Sequence, residues 1–268
     1  MGLGSLKDSQ PASETALAPP PSRAAFAFIF ITVTLDMLAL GIMAPVLPKL
    51  IIQFEGGAMT AAARITGVDA SEPFLAEARR RMPGASFRHG DVTALDLPDA
   101  AFDAALSLLV LQFVPDRTAA VAEMARVVRP GGLVAAAMWD FTGGFSFLRT
   151  FVDSIAAVEP DGEAFRARYW SDPVGTPGRL SALLAGAGLA GVAERDVAIR
   201  QEFSSFADWW EPWAQGGQGV AGAYVASLPP ERLPRVEALA RRAYLAGAPD
   251  GPRSFVAVAR LATGLTRA

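Results

Sequence analysis

Two acids stand where a run of short apolar segments and helical periods would carry them to one edge of a sheet. Ile65 to Val68 is apolar and partly β-branched and ends at Asp69; Ala85 to His89 is a second such run, followed by Gly90-Asp91-Val92. In open α/β sheets ligands bind outside the carboxyl ends of the strands. A carboxylate there can accept hydrogen bonds from both hydroxyls of a ribose or from an amino group. Taken singly, Asp69 reads equally well as a solvated turn residue and Asp91 as a turn cap.

The remaining chemistry is bounded by what the chain lacks. It has 268 residues and no Cys, which excludes disulfides, thiolate metal sites and cysteine nucleophiles. His89 is its one histidine, so neither a multi-histidine metal centre nor a serine-histidine triad with a spare histidine can be built, and no metal is expected. His89 lies inside a predicted strand and reads as structural. Asp140, Tyr169 and Glu211 are weaker candidates for a base, and no catalytic residue is assigned. With a net charge of -3 and a pI near 5.3 the chain has no basic field for gripping phosphates, so nucleic acid is not expected as a partner.

The elements that must position the two acids follow along the chain. Residues 1–23, rich in Ser, Pro and Ala, read as a disordered tail. Residues 24–47 are apolar with Asp36 as the single charge, long enough to span a hydrocarbon core of about 20 residues. Their Phe, Ile, Leu and Val residues, at about -0.3 to -0.6 kcal/mol each, outweigh one central Asp at about +3 kcal/mol. A transmembrane-like helix is therefore expected over 24–54, with a buried soluble helix as the alternative. After Asp69 the pattern changes. Phe74, Leu75, Ala78 and Met82 share one helical face, and Phe102 to Leu109 is a nearly continuous apolar strand of the kind parallel sheets bury. Val121, Met124, Ala125 and Val128 recur at helical spacing. Arg129-Pro130-Gly131-Gly132 stops that helix before a strand over Leu133 to Met138. The alternation predicts an α/β fold with a doubly wound parallel sheet.

The stretch Phe141 to Val174 reads as an irregular lid, and Thr176-Pro177 opens a helix that buries Leu180, Leu183, Leu184 and Ala187. Val192 to Phe203 and Ser254 to Leu261 read as further strands, the second as an antiparallel edge. A cap over about 141–253 would supply the pocket for the second reactant. Its aromatic candidates are Trp139, Tyr169, Trp209 and Trp210; a cluster such as Trp209, Trp210 and Trp213 more often packs a cap helix against the sheet than stacks on a flat acceptor.

Two resemblances refine these expectations. Leu35-Asp36-Met37-Leu38-Ala39-Leu40-Gly41 through Pro45 and Pro48, within about 24–64, resembles the first transmembrane helix of major facilitator drug/proton antiporters. That resemblance implies membrane association through residues 24–47 with a cytoplasmic soluble domain, or a fragment associating with an antiporter. Gly67-Val68-Asp69-Ala70-Ser71, Gly90-Asp91-Val92, Phe102-Asp103-Ala104 and Arg129-Pro130-Gly131-Gly132, in that order, resemble class I S-adenosylmethionine-dependent methyltransferases over about 65–268. This implies S-adenosylmethionine as cofactor, a small organic molecule as methyl acceptor, and a cofactor-binding set of Asp69, Ala70, Asp91, Val92 and Ser107. In it Asp69 would hold the ribose hydroxyls, Asp91 the adenine amino group and the Val92 amide a ring nitrogen, with Ser107 beside the methionine portion. The family's first strand and Gly-rich turn are not recognisable before Ile65, where only Glu55-Gly56-Gly57-Ala58 stands. The expected sheet is thus an incomplete Rossmann-like one, joined at 55–64 to an antiporter start, and the missing turn implies impaired cofactor binding or a non-catalytic fusion product.

Overall fold

A computed structural model of the chain describes residues 27–31, 64–170, 173–214 and 219–267. The elements are β1 (Ala27–Ile31), β2 (Arg64–Asp69), α1 (Glu72–Arg81), β3 (Ser86–His89), β4 (Phe102–Leu108), α2 (Arg117–Val127) and β5 (Val128–Trp139). They continue with α3 (Ser146–Ala156), α4 (Gly162–Trp170), α5 (Arg179–Gly186), β6 (Ala190–Phe203), α6 (Phe206–Ala214), α7 (Gly219–Ser227), α8 (Leu233–Leu245) and β7 (Arg253–Leu265). One seven-stranded sheet results, in the order β3-β2-β1-β4-β5-β7-β6. The first five strands are parallel, and β7 runs antiparallel between β5 and β6.

Apolar side chains cover both faces, as a parallel sheet requires. On one face Ala105, Val134 and Met138 pack with Val121 and Met124 of α2 and Leu180 and Leu184 of α5, the helical positions the sequence assigned to burial. On the other, Leu108, Ala137 and Trp139 pack under α3 and α6 to α8, with Phe147, Phe151 and Trp209 fully buried. Each such side chain contributes about 1.5–3 kcal/mol on leaving water.

Two expectations are corrected here. A helix through 24–54 is incompatible with β1, because Ala27–Ile31 is a strand whose backbone pairs with both neighbours: Phe28 opposite Ile65 and Ala104, Ile31 opposite Val68 and Ser107. The sheet is therefore not lacking its central strand; β1 fills the place thought empty. The physical reason is that an unbroken apolar run suits a strand buried on both faces as well as it suits a membrane helix, and periodicity does not separate them. Among the described residues no helix is long and apolar enough to cross a membrane. The tail at 1–23, the rest of the apolar stretch at 32–54 and the junction up to residue 63 lie outside the described residues. The second correction concerns the lid: Phe141 to Val174 is mostly helical, in α3 and α4. Phe147, Leu148, Phe151, Val152 and Ile155 recur at three- and four-residue steps and all face the core, a period that the neighbouring Gly143 and Gly144 obscured.

Arg129-Pro130-Gly131-Gly132, read as a helix stop, lies within β5, where the register against β4 shifts between Phe102 and Ala104. Gly131 has φ +73°, and a Cβ on Gly132 would stand 2.6 Å from the Asp103 carbonyl oxygen and 2.4 Å from Val128 Cγ1. The irregularity needs a residue without a side chain. Gly132→Ala is expected to destabilise the fold by about 1–3 kcal/mol, since the obstructing carbonyl is fixed in the ladder. Thermal unfolding measures this, and an unchanged midpoint would refute it.

Candidate functional site

β2 and β3 deliver their acids side by side. Asp69 pairs with His89 in the parallel register, and the Gly90 N–H donates to the Asp69 carbonyl at 3.1 Å, so the chain leaves β3 for Asp91 within reach of the end of β2. Ser71 sits at the N-cap of α1 without a cap bond from its side chain. Its N–H instead donates to Asp69 Oδ1 at 2.7 Å, which turns the carboxylate back over the strand end. His89 is exposed, with Nε2 3.1 Å from the Ala70 carbonyl oxygen, and so fixes the backbone beside Asp69.

Asp69 and Asp91 line a cavity of about 330 Å³. One wall is Val68, Asp69, Ala70 and the turn from Gly90 to Thr93; the opposite wall is the chain just after β4, Val110 and Phe113 to Asp116. Since β1 lies between β2 and β4, the cavity straddles the carboxyl end of the central strand, where the chain reverses its direction of winding.

The carboxyls of the two acids are shifted in opposite directions. Asp69 is 5% exposed and its Oδ2 is buried with no hydrogen-bond partner among the described residues. Burial pushes its carboxyl above the usual value, opposed by the Ser71 N–H and by the nearby His89. Asp91 is exposed, and its Oδ1 accepts from the Thr93 N–H at 2.8 Å, which with the Thr93 side chain holds it below the usual value. A buried carboxylate oxygen without a donor is costly, and it is satisfied by a ligand that brings hydroxyls.

Ser107 is 2% exposed at the next strand end, and its Oγ likewise has no partner among the described residues. Trp139 ends β5, buried against Phe145 with ring centroids 4.8 Å apart, and its Nε1 has no partner among the described residues. Neither residue lines the cavity beside Asp69. Trp209 and Trp210 lie in the aromatic core with Phe151, Phe206 and Tyr244, so the structure puts them in the packing between cap helices and sheet. Tyr169 falls near the end of α4. The wall formed by Val110, Phe113, Val114, Pro115 and Asp116 was missed by sequence reasoning. Its signal was the apolar run continuing past Leu109 to Val114 before Pro115-Asp116, too long for the strand alone. Phe113, 50% exposed on that wall, is an aromatic face open to a ligand.

Residues 54–136 match the family described as the methyltransferase domain, a stretch that holds both acids, β4 and α2. By that match the chain is similar to methyltransferases over about a third of its length, and the homologues of that class bind S-adenosylmethionine. Among individual proteins, the chain is 36% identical over 147 residues to demethylmenaquinone methyltransferase of Beutenbergia cavernae, covering 50% of this chain and 59% of that one. It is 42% identical over 71 residues to malonyl-[acyl-carrier protein] O-methyltransferase of Serratia marcescens, covering 26% of this chain and 28% of the other. It is 41% identical over 78 residues to trans-aconitate 2-methyltransferase of Methylobacterium nodulans, covering 29% and 30%. The chain thus spans well under two thirds of the length of each of these relatives.

The charge state of Asp69 generates a stability prediction. A carboxyl raised in the folded state contributes most below its unfolded value and loses that contribution as pH rises through the raised one. Asp69→Asn keeps the acceptor for Ser71 and removes the charge, so the ligand-free variant should melt at or above the unaltered protein at pH 7, the gap closing toward pH 4. Melting curves across that range measure it; a variant less stable at pH 7 than at pH 4, relative to the parent, would sink the assignment.

Proposed function

We propose that the chain transfers a methyl group from S-adenosylmethionine to a small organic acceptor, using the seven-stranded sheet that β1 completes, with a cap over about 141–253. The observation that carries this reading is the buried Oδ2 of Asp69, without a partner among the described residues, in a cavity it shares with Asp91 and Val92. That arrangement fits an adenosine group. Asp69 would accept from the two ribose hydroxyls, and burial would make each of those bonds strong. Asp91, kept ionised by Thr93, would accept from the adenine amino group. Val92 would present its amide to a ring nitrogen, and Ala70 would border the ribose. Ser107, beside the central strand, would face the methionine portion.

Bound there, the cofactor supplies a methyl group activated by its sulfonium sulfur. The chain's own part is to orient it and to exclude water, which can provide much of the acceleration of a displacement reaction without a dedicated base. Trp139 remains the acceptor-side candidate through its Nε1 at the end of β5, and Tyr169 stands as a second. The names of the relatives, which include demethylmenaquinone, malonyl-[acyl-carrier protein] and trans-aconitate, support a small organic group as acceptor. After β1 the sequence runs Thr32-Val33-Thr34-Leu35 with no glycine before Gly41. We infer that the methionine end is held weakly, since a Gly-rich turn is what lets backbone approach it.

Calorimetric titration of the full chain with S-adenosylhomocysteine and with adenosine tests both statements. Binding of both is expected, with the homocysteine portion adding little. Asp69→Ala and Asp91→Ala should each weaken S-adenosylhomocysteine by roughly 10- to 100-fold, as loss of a hydrogen bond to a charged group implies. Unchanged affinity in both variants would overturn the reading.

A further inference from the structure

The turn that carries Asp91 and Val92 is anchored at both ends. Upstream, Gly90 is tied to β2. Among the described residues the bonds within the turn are internal, Thr93 N–H to Asp91 Oδ1 and Ala94 N–H to the Asp91 carbonyl. The downstream anchor is Leu95, and it is held by two side chains of α2. Its N–H donates to Glu123 Oε2 at 2.8 Å, and its carbonyl accepts from Arg126 Nη2 at 2.9 Å. Arg126 then spends its other donors on the same segment and on its helix neighbour: Nη1 on the Leu97 carbonyl at 2.8 Å and on Asp99, Nε and Nη2 on the two oxygens of Glu123 at 2.7 Å each. The Ala100 N–H returns to the Arg126 carbonyl at 3.0 Å.

All five guanidinium N–H groups are therefore engaged, in a planar fork that a lysine ammonium does not reproduce. The Asp99 arm reaches a largely exposed carboxylate and contributes little. The arms to Leu95, Leu97 and Glu123 are partly buried and directional, whereas the apolar contacts of Leu95 and Leu97 resist removal of the loop but set no register.

We propose that Glu123 and Arg126 are positioning residues for the cofactor, fixing the 91–99 loop so that Asp91 and Val92 stand across the cavity from Phe113; this rests on the function proposed above. Neither side chain lines that cavity, so both act through the loop.

The test is a double-mutant cycle read by S-adenosylhomocysteine titration of the full chain. Arg126→Lys should weaken binding about tenfold in the unaltered background and less than twofold in the Asp91→Ala background, because the two changes remove the same interaction. Equal losses in both backgrounds would mean that Arg126 serves general stability and would overturn the proposal, as would an unchanged affinity in Arg126→Lys alone. If Arg126→Lys does not fold, Glu123→Gln is read in the same cycle with the same two outcomes. Absence of S-adenosylhomocysteine binding by the unaltered, folded protein would overturn the functional reading and this inference with it. Binding by that protein with an additive cycle would overturn this inference alone.

Discussion

Everything at the candidate site depends on the double pairing of β1. By bonding to β2 on one side and β4 on the other, this five-residue strand sets the separation between the acid end of β2 and the apolar chain that leaves β4. The cavity is the space above its carboxyl end. A parallel ladder leaves no freedom of orientation here, since every strand end points the same way and every following turn must cross the same edge. Asp69, Asp91 and the Val110 to Asp116 segment are thus gathered by the backbone pairing of the strands that carry them.

Much of this was legible from residue types. Ile65 to Val68 stopping at Asp69, and Phe102 to Leu109 as an apolar run, are strands because β-branched and apolar residues flanked by acids and turn formers have few other uses in a buried sheet. The faces of α2 and α5 followed from helical spacing, and the structure buries Val121, Met124, Leu180 and Leu184 as that spacing requires. The acids at the strand ends were visible too, although only the fold brings them to one cavity.

What could not be read had a common cause: the decisive information was tertiary. Phe28 to Ile31 has the same composition whether lipid or two neighbouring strands surround it, and choosing between them requires knowing that a slot exists between β2 and β4. The aromatic residues of α6 could face either a ligand or a core, and only the placement of α3 opposite them decides that Trp209 stacks on Tyr244, ring centroids 5.4 Å apart. Phe113, beyond the strand read as ending at Leu109, drew no reading from the sequence. It is part of a short 3₁₀ turn, whose Leu111 and Gln112 carbonyls accept from the Arg117 guanidinium.

The position of β1 also changes where the sheet is vulnerable. Open sheets normally guard their outermost strands, because those carry unpaired N–H and C=O groups that recruit other chains. Here the strand that fills the middle comes from far upstream of its neighbour, with residues 32–63 between Ile31 and Arg64. Closing that span is what brings Ala27–Ile31 into the slot between β2 and β4. Until it is closed, β2 and β4 face each other as two open ladders. The seam of this fold lies at its centre, so a strand of another molecule that competes with Ala27–Ile31 would enter directly beneath the acid that the site is built on.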